Sequence, residues 1–131
     1  MLPRRPSPWH RLCIGKRVIQ LCLTLAARPG QTDAMVRALN SVMLWARLDR
    51  AGARCQLWTK VDEPESLCYI EEWPTVEDLE RQMCEEAFTR LLAVMEAAAE
   101  PPVLEFRFVS ETRGLDYVAV VRGRMPAPGA L

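Results

Sequence analysis

In CYIEEWPTVEDLERQ, residues 68–82, a strand pattern runs as far as Trp73, a proline follows, and a helix start comes straight after. Thr75 with Asp78 three residues on reads as a capping box, and Val76, Leu79 and Met83 then mark an apolar stripe at helical spacing. An indole that closes a strand above a helix start is either a core residue or the wall of a small-molecule pocket. On the strand before it, successive side chains point to opposite faces. Glu71 therefore shares the face of Trp73, and Glu72 points away.

Upstream, ARCQLWTKVD (53–62) alternates cleanly. Cys55, Leu57, Thr59 and Val61 take one face; Arg54, Gln56, Trp58 and Lys60 take the other. DEPES (62–66) is turn chemistry, so the two strands form a hairpin with a longer loop. Residues 17–28 carry Val, Ile, Leu, Cys and Thr without helical spacing, which predicts a strand buried on both faces or nearly so. Pro29-Gly30 turns the chain, and Thr32 or Asp33 caps a helix from 33 to 49 that buries Met35, Leu39, Val42, Met43 and Ala46. Gly52 ends it.

Downstream, Phe88, Leu91, Leu92, Met95 and Ala99 form a second stripe, and Pro101-Pro102 stop it. VLEFRFVSE (103–111) and GLDYVAVVR (114–122) both read as alternating strands joined by a short turn. The order is strand, helix, strand, strand, helix pair, strand, strand. This is an α+β domain, ferredoxin-like βαββαβ, with helices on one face of an antiparallel sheet. The other sheet face is too apolar to leave wholly in water, and two copies packed sheet against sheet would cover it.

Composition sets the bounds. At 131 residues there is room for one domain. Its 17 basic and 17 acidic side chains give no net charge that argues for a nucleic-acid partner. The charge is uneven, since no acidic residue precedes Asp33 while Arg4, Arg5, Arg11, Lys16, Arg17 and Arg28 all do. Residues 1–16 read as a basic, proline-bearing flexible arm, 17–122 as the folded domain, and 123–131 as a flexible tail. Five cysteines, an odd number without a C-x-x-C pair, fit free thiols in a reducing cytoplasm better than a disulfide framework or zinc site. VIQLCLTLAA (18–27) has the shape of a signal-peptide core, but Gln20 interrupts it and no small-residue cleavage site follows. No stretch approaches a transmembrane length. There is no phosphate loop, nucleophile elbow or metal-ligand cluster.

RPGQTDAMVRAL (28–39) after the opening strand, EEW (71–73) closing the third, and EEAFTRLLAVMEAAAEPPVLEFRFV (85–109) together resemble antibiotic biosynthesis monooxygenase domains. The resemblance covers residues 17–122. It implies a dimeric α+β barrel and chemistry that commonly needs no bound metal or flavin, so no cofactor is expected. A phenol or hydroquinone is deprotonated in an apolar pocket, and its anion reduces dioxygen directly. On this resemblance Trp73 is the pocket wall. Position 82, where several relatives carry a histidine, is Gln82, which exchanges hydrogen bonds but takes no proton near neutrality. The only histidine, His10, lies in the arm. Glu71 then remains as candidate base, with burial raising its pKa toward a useful range.

Asn40, Met83, Phe88 and Tyr117 are the candidates for substrate contact. Each also has a plain reading: Asn40 as an exposed helix residue, Met83 and Phe88 as core, Tyr117 as cross-strand packing. Trp58 suits a dimer seam, and Trp45 falls off its helix stripe. Two functions stay open: a cofactor-independent monooxygenase of a quinol or polyketide-like phenol, and a non-catalytic binding or sensing module on the same barrel. A dimerisation unit whose basic arm meets a charged partner is a third.

Overall fold

The computed structural model describes residues 17–124. The proposed arm, residues 1–16, lies outside them, as does residue 125 onward of the proposed tail. Eight elements follow in order: β1 (Val18–Ala26), α1 (Thr32–Leu48), β2 (Arg54–Thr59), β3 (Ser66–Trp73), α2 (Val76–Met83), α3 (Glu86–Glu96), β4 (Val103–Val109) and α4 (Leu115–Arg124). They fall into two units. One is Val18–Phe108, and the other holds Arg17 and the segment from Val109 that carries α4.

In the larger unit the antiparallel sheet has the order β2-β3-β1-β4, the ferredoxin-like arrangement. β1 is therefore a central strand: Ile19, Leu21, Leu23 and Leu25 are buried on one face, with Cys22 buried on the other between the partly buried Gln20 and Thr24. It pairs with β3 from Ile19↔Trp73 to Ala26↔Ser66, and β2 pairs with the other edge of β3 from Arg54↔Glu72 to Thr59↔Leu67. The period of two sends Ile19, Leu21, Leu23 and Leu25 to the helix side, with Leu67, Tyr69 and Trp73 beside them. Met35, Leu39, Val42, Met43 and Ala46 of α1 pack onto that face, as the helical spacing predicts, joined by Leu79, Leu91 and Val94. The opposite face presents Gln20, Thr24, Gln56, Trp58, Ile70 and Glu72.

The chain punctuation works in part: α1 ends at Leu48 with Asp49 as its cap, so Gly52 lies in the turn beyond it, and α3 ends at Glu96, ahead of Pro101-Pro102. Gly30 and Gly52 take φ of 76° and 66°, the left-handed region that a Cβ disfavours. α1 starts one residue earlier than the capping signal suggested, from Gln31, whose side chain makes no cap. Thr75 does cap α2: its Oγ1 accepts from Asp78 N–H at 3.1 Å. Arg81 pairs with Asp78 within α2 at 2.7 Å and ties that helix to Asp49, the cap of α1, at 2.5 Å.

Three expectations need correction. GLDYVAVVR is the helix α4, not a strand. Val118, Ala119, Val120 and Val121 are consecutive apolar residues that break alternation, and Tyr117 N–H donates to Gly114 O at 3.1 Å to start the first turn. Asp116 in that turn and Arg122 and Arg124 in the last suit the helix dipole. Met83 is 38% exposed instead of core, because α2 buries Leu79 and Gln82 and ends one position later. α3 buries Ala87, Leu91 and Val94 while Leu92 is exposed. The chain breaks between the two helices at Cys84 and Glu85, and that break resets the helical phase. Among the described residues no helix is long and apolar enough to cross a membrane.

Candidate functional site

β3 is flanked on both sides, so its helix-facing residues sit where the sheet is most covered. Glu71 lies between Leu21 of β1 and Cys55 of β2 in register. It is 2% exposed, and its neighbours along the face, Tyr69 and Trp73, are fully buried. A carboxyl group in such a place costs several kcal/mol unless its oxygens find donors. Here both do. Tyr69 O–H donates to Oε2 at 2.5 Å, and Trp73 Nε1–H donates to Oε1 at 2.9 Å. A period of two supplies this geometry, because residues 69, 71 and 73 stand in one row.

Burial raises the Glu71 pKa above its ordinary 4.5; the two hydrogen bonds pull the other way and are outweighed. Burial also lifts the Tyr69 hydroxyl far above its usual range, and the Glu71 charge and hydrogen bond add to that. The Cys55 thiol is pushed up to about 12, first by burial and then by Glu71. Tyr69 and Cys55 therefore remain protonated near neutral pH, and Glu71 is the group of this row that exchanges a proton most readily. Its basicity is enhanced by the same desolvation that penalises its charge.

Gln82 is buried on α2, which packs on β3. Glu72 faces the other way, as alternation requires, and accepts from Gln20 Nε2–H at 2.8 Å. The remaining candidates do not join this row. Asn40 is exposed on α1 and Met83 is exposed on α2, while Phe88 is half-buried against the core. Tyr117 belongs to α4, where the Arg113 guanidinium lies 5.0 Å from its ring centroid. So the structure brings together Glu71 and Trp73 from the expected set and adds Tyr69 and Cys55. Counting back by twos from Trp73 finds Tyr69 in the sequence. Cys55 needs the register between β2 and β3, which no local pattern carries.

No group of three or more His, Cys, Asp or Glu among the described residues is placed to hold a metal ion. A groove of about 880 Å³ lies elsewhere, between α1 and α3, and neither Glu71 nor Trp73 lines it.

No protein-family model and no curated protein matches the chain. Solved structures do. An antibiotic biosynthesis monooxygenase superposes with a TM-score of 0.61 at 18% identity, over 70% of this chain and 97% of its own. A candidate antibiotic biosynthesis monooxygenase from Caulobacter crescentus gives 0.63 at 18%, over 77% and 96%. A protein from Shewanella oneidensis gives 0.63 at 20%, over 73% and 94%. The sheet order and the helices on one face are thus the fold of antibiotic biosynthesis monooxygenase structures.

Proposed function

We propose that the chain is a monooxygenase that oxidises a small aromatic, a quinol or polyketide-like phenol, with dioxygen and without a bound metal or flavin. The observation that carries this reading is Glu71: a buried carboxyl of raised basicity, walled by an indole and steadied by a phenol. Its carboxylate takes the proton of the substrate hydroxyl or of an activated ring CH₂. The resulting anion is electron-rich and poorly solvated, and it supplies the electrons that reduce O₂. A carbon–oxygen bond forms to one oxygen atom. When the carbon is a ring CH₂, loss of water leaves C=O, so CH₂ plus O₂ gives C=O plus H₂O and no outside reductant is needed. Gln82 fits as a hydrogen-bonding group beside this chemistry and not as a base.

A second reading has an observation of its own. Both Glu71 oxygens are occupied by protein donors, and Glu71 and Trp73 are sealed from solvent. That favours a binding or sensing module in which the row only supports the fold. In either case the free thiols Cys22, Cys55, Cys68 and Cys84 suit a reducing compartment such as the cytoplasm. Two copies packed sheet to sheet would cover Trp58, which is 55% exposed.

Oxygen uptake by the purified protein with naphthoquinols, anthrones and catechols separates the readings. The monooxygenase gives uptake above spontaneous oxidation. Glu71→Gln and Trp73→Phe lower that turnover while leaving ligand affinity mostly intact. No uptake with any of them, while one still binds, establishes the binding module and removes the oxygenase.

A further inference from the structure

The groove between α1 and α3 exists because facing positions are small. Ala34 and Ala38 on α1, and Ala93 on α3 with Ala97 at its C-cap, recur four residues apart, so each helix turns a shallow wall to the other. The floor reaches the core: Met35, Val42 and Val94 line it while being only 6%, 1% and 9% exposed. From Ala34 to Val42 the groove follows α1 for about 12 Å. No aromatic face lines it, so it is built for an aliphatic body and not for a stacked ring.

Charge marks the two ends. Arg28, just past β1, stands at the start of α1 and has no ion-pair partner among the described residues. At the far end Arg90 lies over the Trp45 ring, 5.5 Å from its centroid, and pairs with Glu86 at 3.3 Å. Glu96 is the single carboxylate of the lining, against two guanidiniums. The groove therefore combines an apolar floor with one cationic fork that makes no ion pair among the described residues, a geometry that matches a carboxylate.

We propose that this groove binds an aliphatic carboxylate of the medium-chain fatty-acid class. The carboxylate pairs with Arg28, and the chain runs over Met35, Val42 and Val94 toward the Arg90–Trp45 contact. A chain of on the order of ten carbons fills the length. The site shares no residue with the Glu71 row and stands whether or not that row is catalytic.

Isothermal titration calorimetry of the full chain with decanoate tests it, with decylammonium as the counterpart of opposite charge. The expected result is one decanoate site, with decylammonium failing to bind there. Arg28→Gln weakens decanoate by about tenfold, the loss of one charge-assisted contact. Ala38→Phe fills the groove and abolishes binding. Should Ala38→Phe unfold, as a thermal melt would show, Arg28→Gln decides alone, since it alters an exposed side chain. Equal binding of the two probes, unchanged affinity in Arg28→Gln, or no heat with decanoate below its self-association concentration overturns the proposal.

Discussion

Replacing Glu71 by Gln changes one atom type in the buried carboxyl of the sheet, and its effect on stability depends on pH. Gln keeps an oxygen to accept from Trp73 Nε1–H, and its amide N–H can donate to the Tyr69 oxygen. While Glu71 is protonated in both folded and unfolded chains, the two proteins should differ by less than about 1 kcal/mol. Above the ordinary carboxyl pKa of 4.5 the unfolded chain releases its proton, while burial makes the folded chain hold it. The native state then binds more protons than the unfolded state, so wild-type stability falls as pH rises. The slope from this group approaches about 1.4 kcal/mol per pH unit and flattens once pH passes the raised folded pKa. Glu71→Gln has no such group. Urea unfolding of both proteins from about pH 5 to about pH 8 should therefore show the variant gaining on the wild type until that pKa is passed. In a thermal melt a difference of about 1 kcal/mol at the midpoint appears as about 4 °C in Tm for a domain of this size. Parallel curves, or a wild type that gains on the variant as pH rises, would refute the reasoning. Either would mean that Tyr69 and Trp73 stabilise the carboxylate more than burial penalises it.

Two further outcomes follow from neighbouring residues. Tyr69→Phe removes the donor to Oε2, so it should cost about 1–3 kcal/mol in urea unfolding, and much less when made in the Glu71→Gln protein. An equal cost in both backgrounds would show that the hydroxyl acts through something other than Glu71. For the sheet-to-sheet dimer, light scattering should give a dimer for the wild type and a monomer for Trp58→Glu, with an unchanged far-ultraviolet spectrum. A wild type that stays monomeric at high concentration, or a dimeric variant, removes that interface.

The residues that could be read locally are those whose environment is set within a few positions. Thr75 and Asp78 fold onto each other inside one turn, so the capping box was legible. So were the opposed faces of Glu71 and Glu72, which follow from the pleat alone. The row of Glu71 and Trp73 was half legible: Tyr69 stood two residues away in plain view, whereas Cys55 reaches it only through a pairing of strands. α4 was misread because Val is favoured in strands by packing against neighbours, while its helical penalty is a fraction of a kcal/mol, which local turn signals and the dipole can outweigh. The α3 stripe was misplaced for a geometric reason. Once Cys84 and Glu85 interrupt the helix, no sequence period carries the phase across the break. Glu71's raised pKa depended on burial from three elements and was foreseeable only in direction.

The central place of β1 has a consequence for the order in which the molecule is made. The first strand of the domain is held by one of the last to be synthesised before the helix pair, and Gln20 meets Glu72 across 52 residues. While the hairpin of β2 and β3 closes over a short loop, β1 must wait with its apolar face uncovered, and closing that long loop is the slow entropic step. Folding on the ribosome therefore leaves VIQLCLTLA without a strand partner until β3 has emerged, which makes the start of the domain the segment that a holding chaperone would meet first.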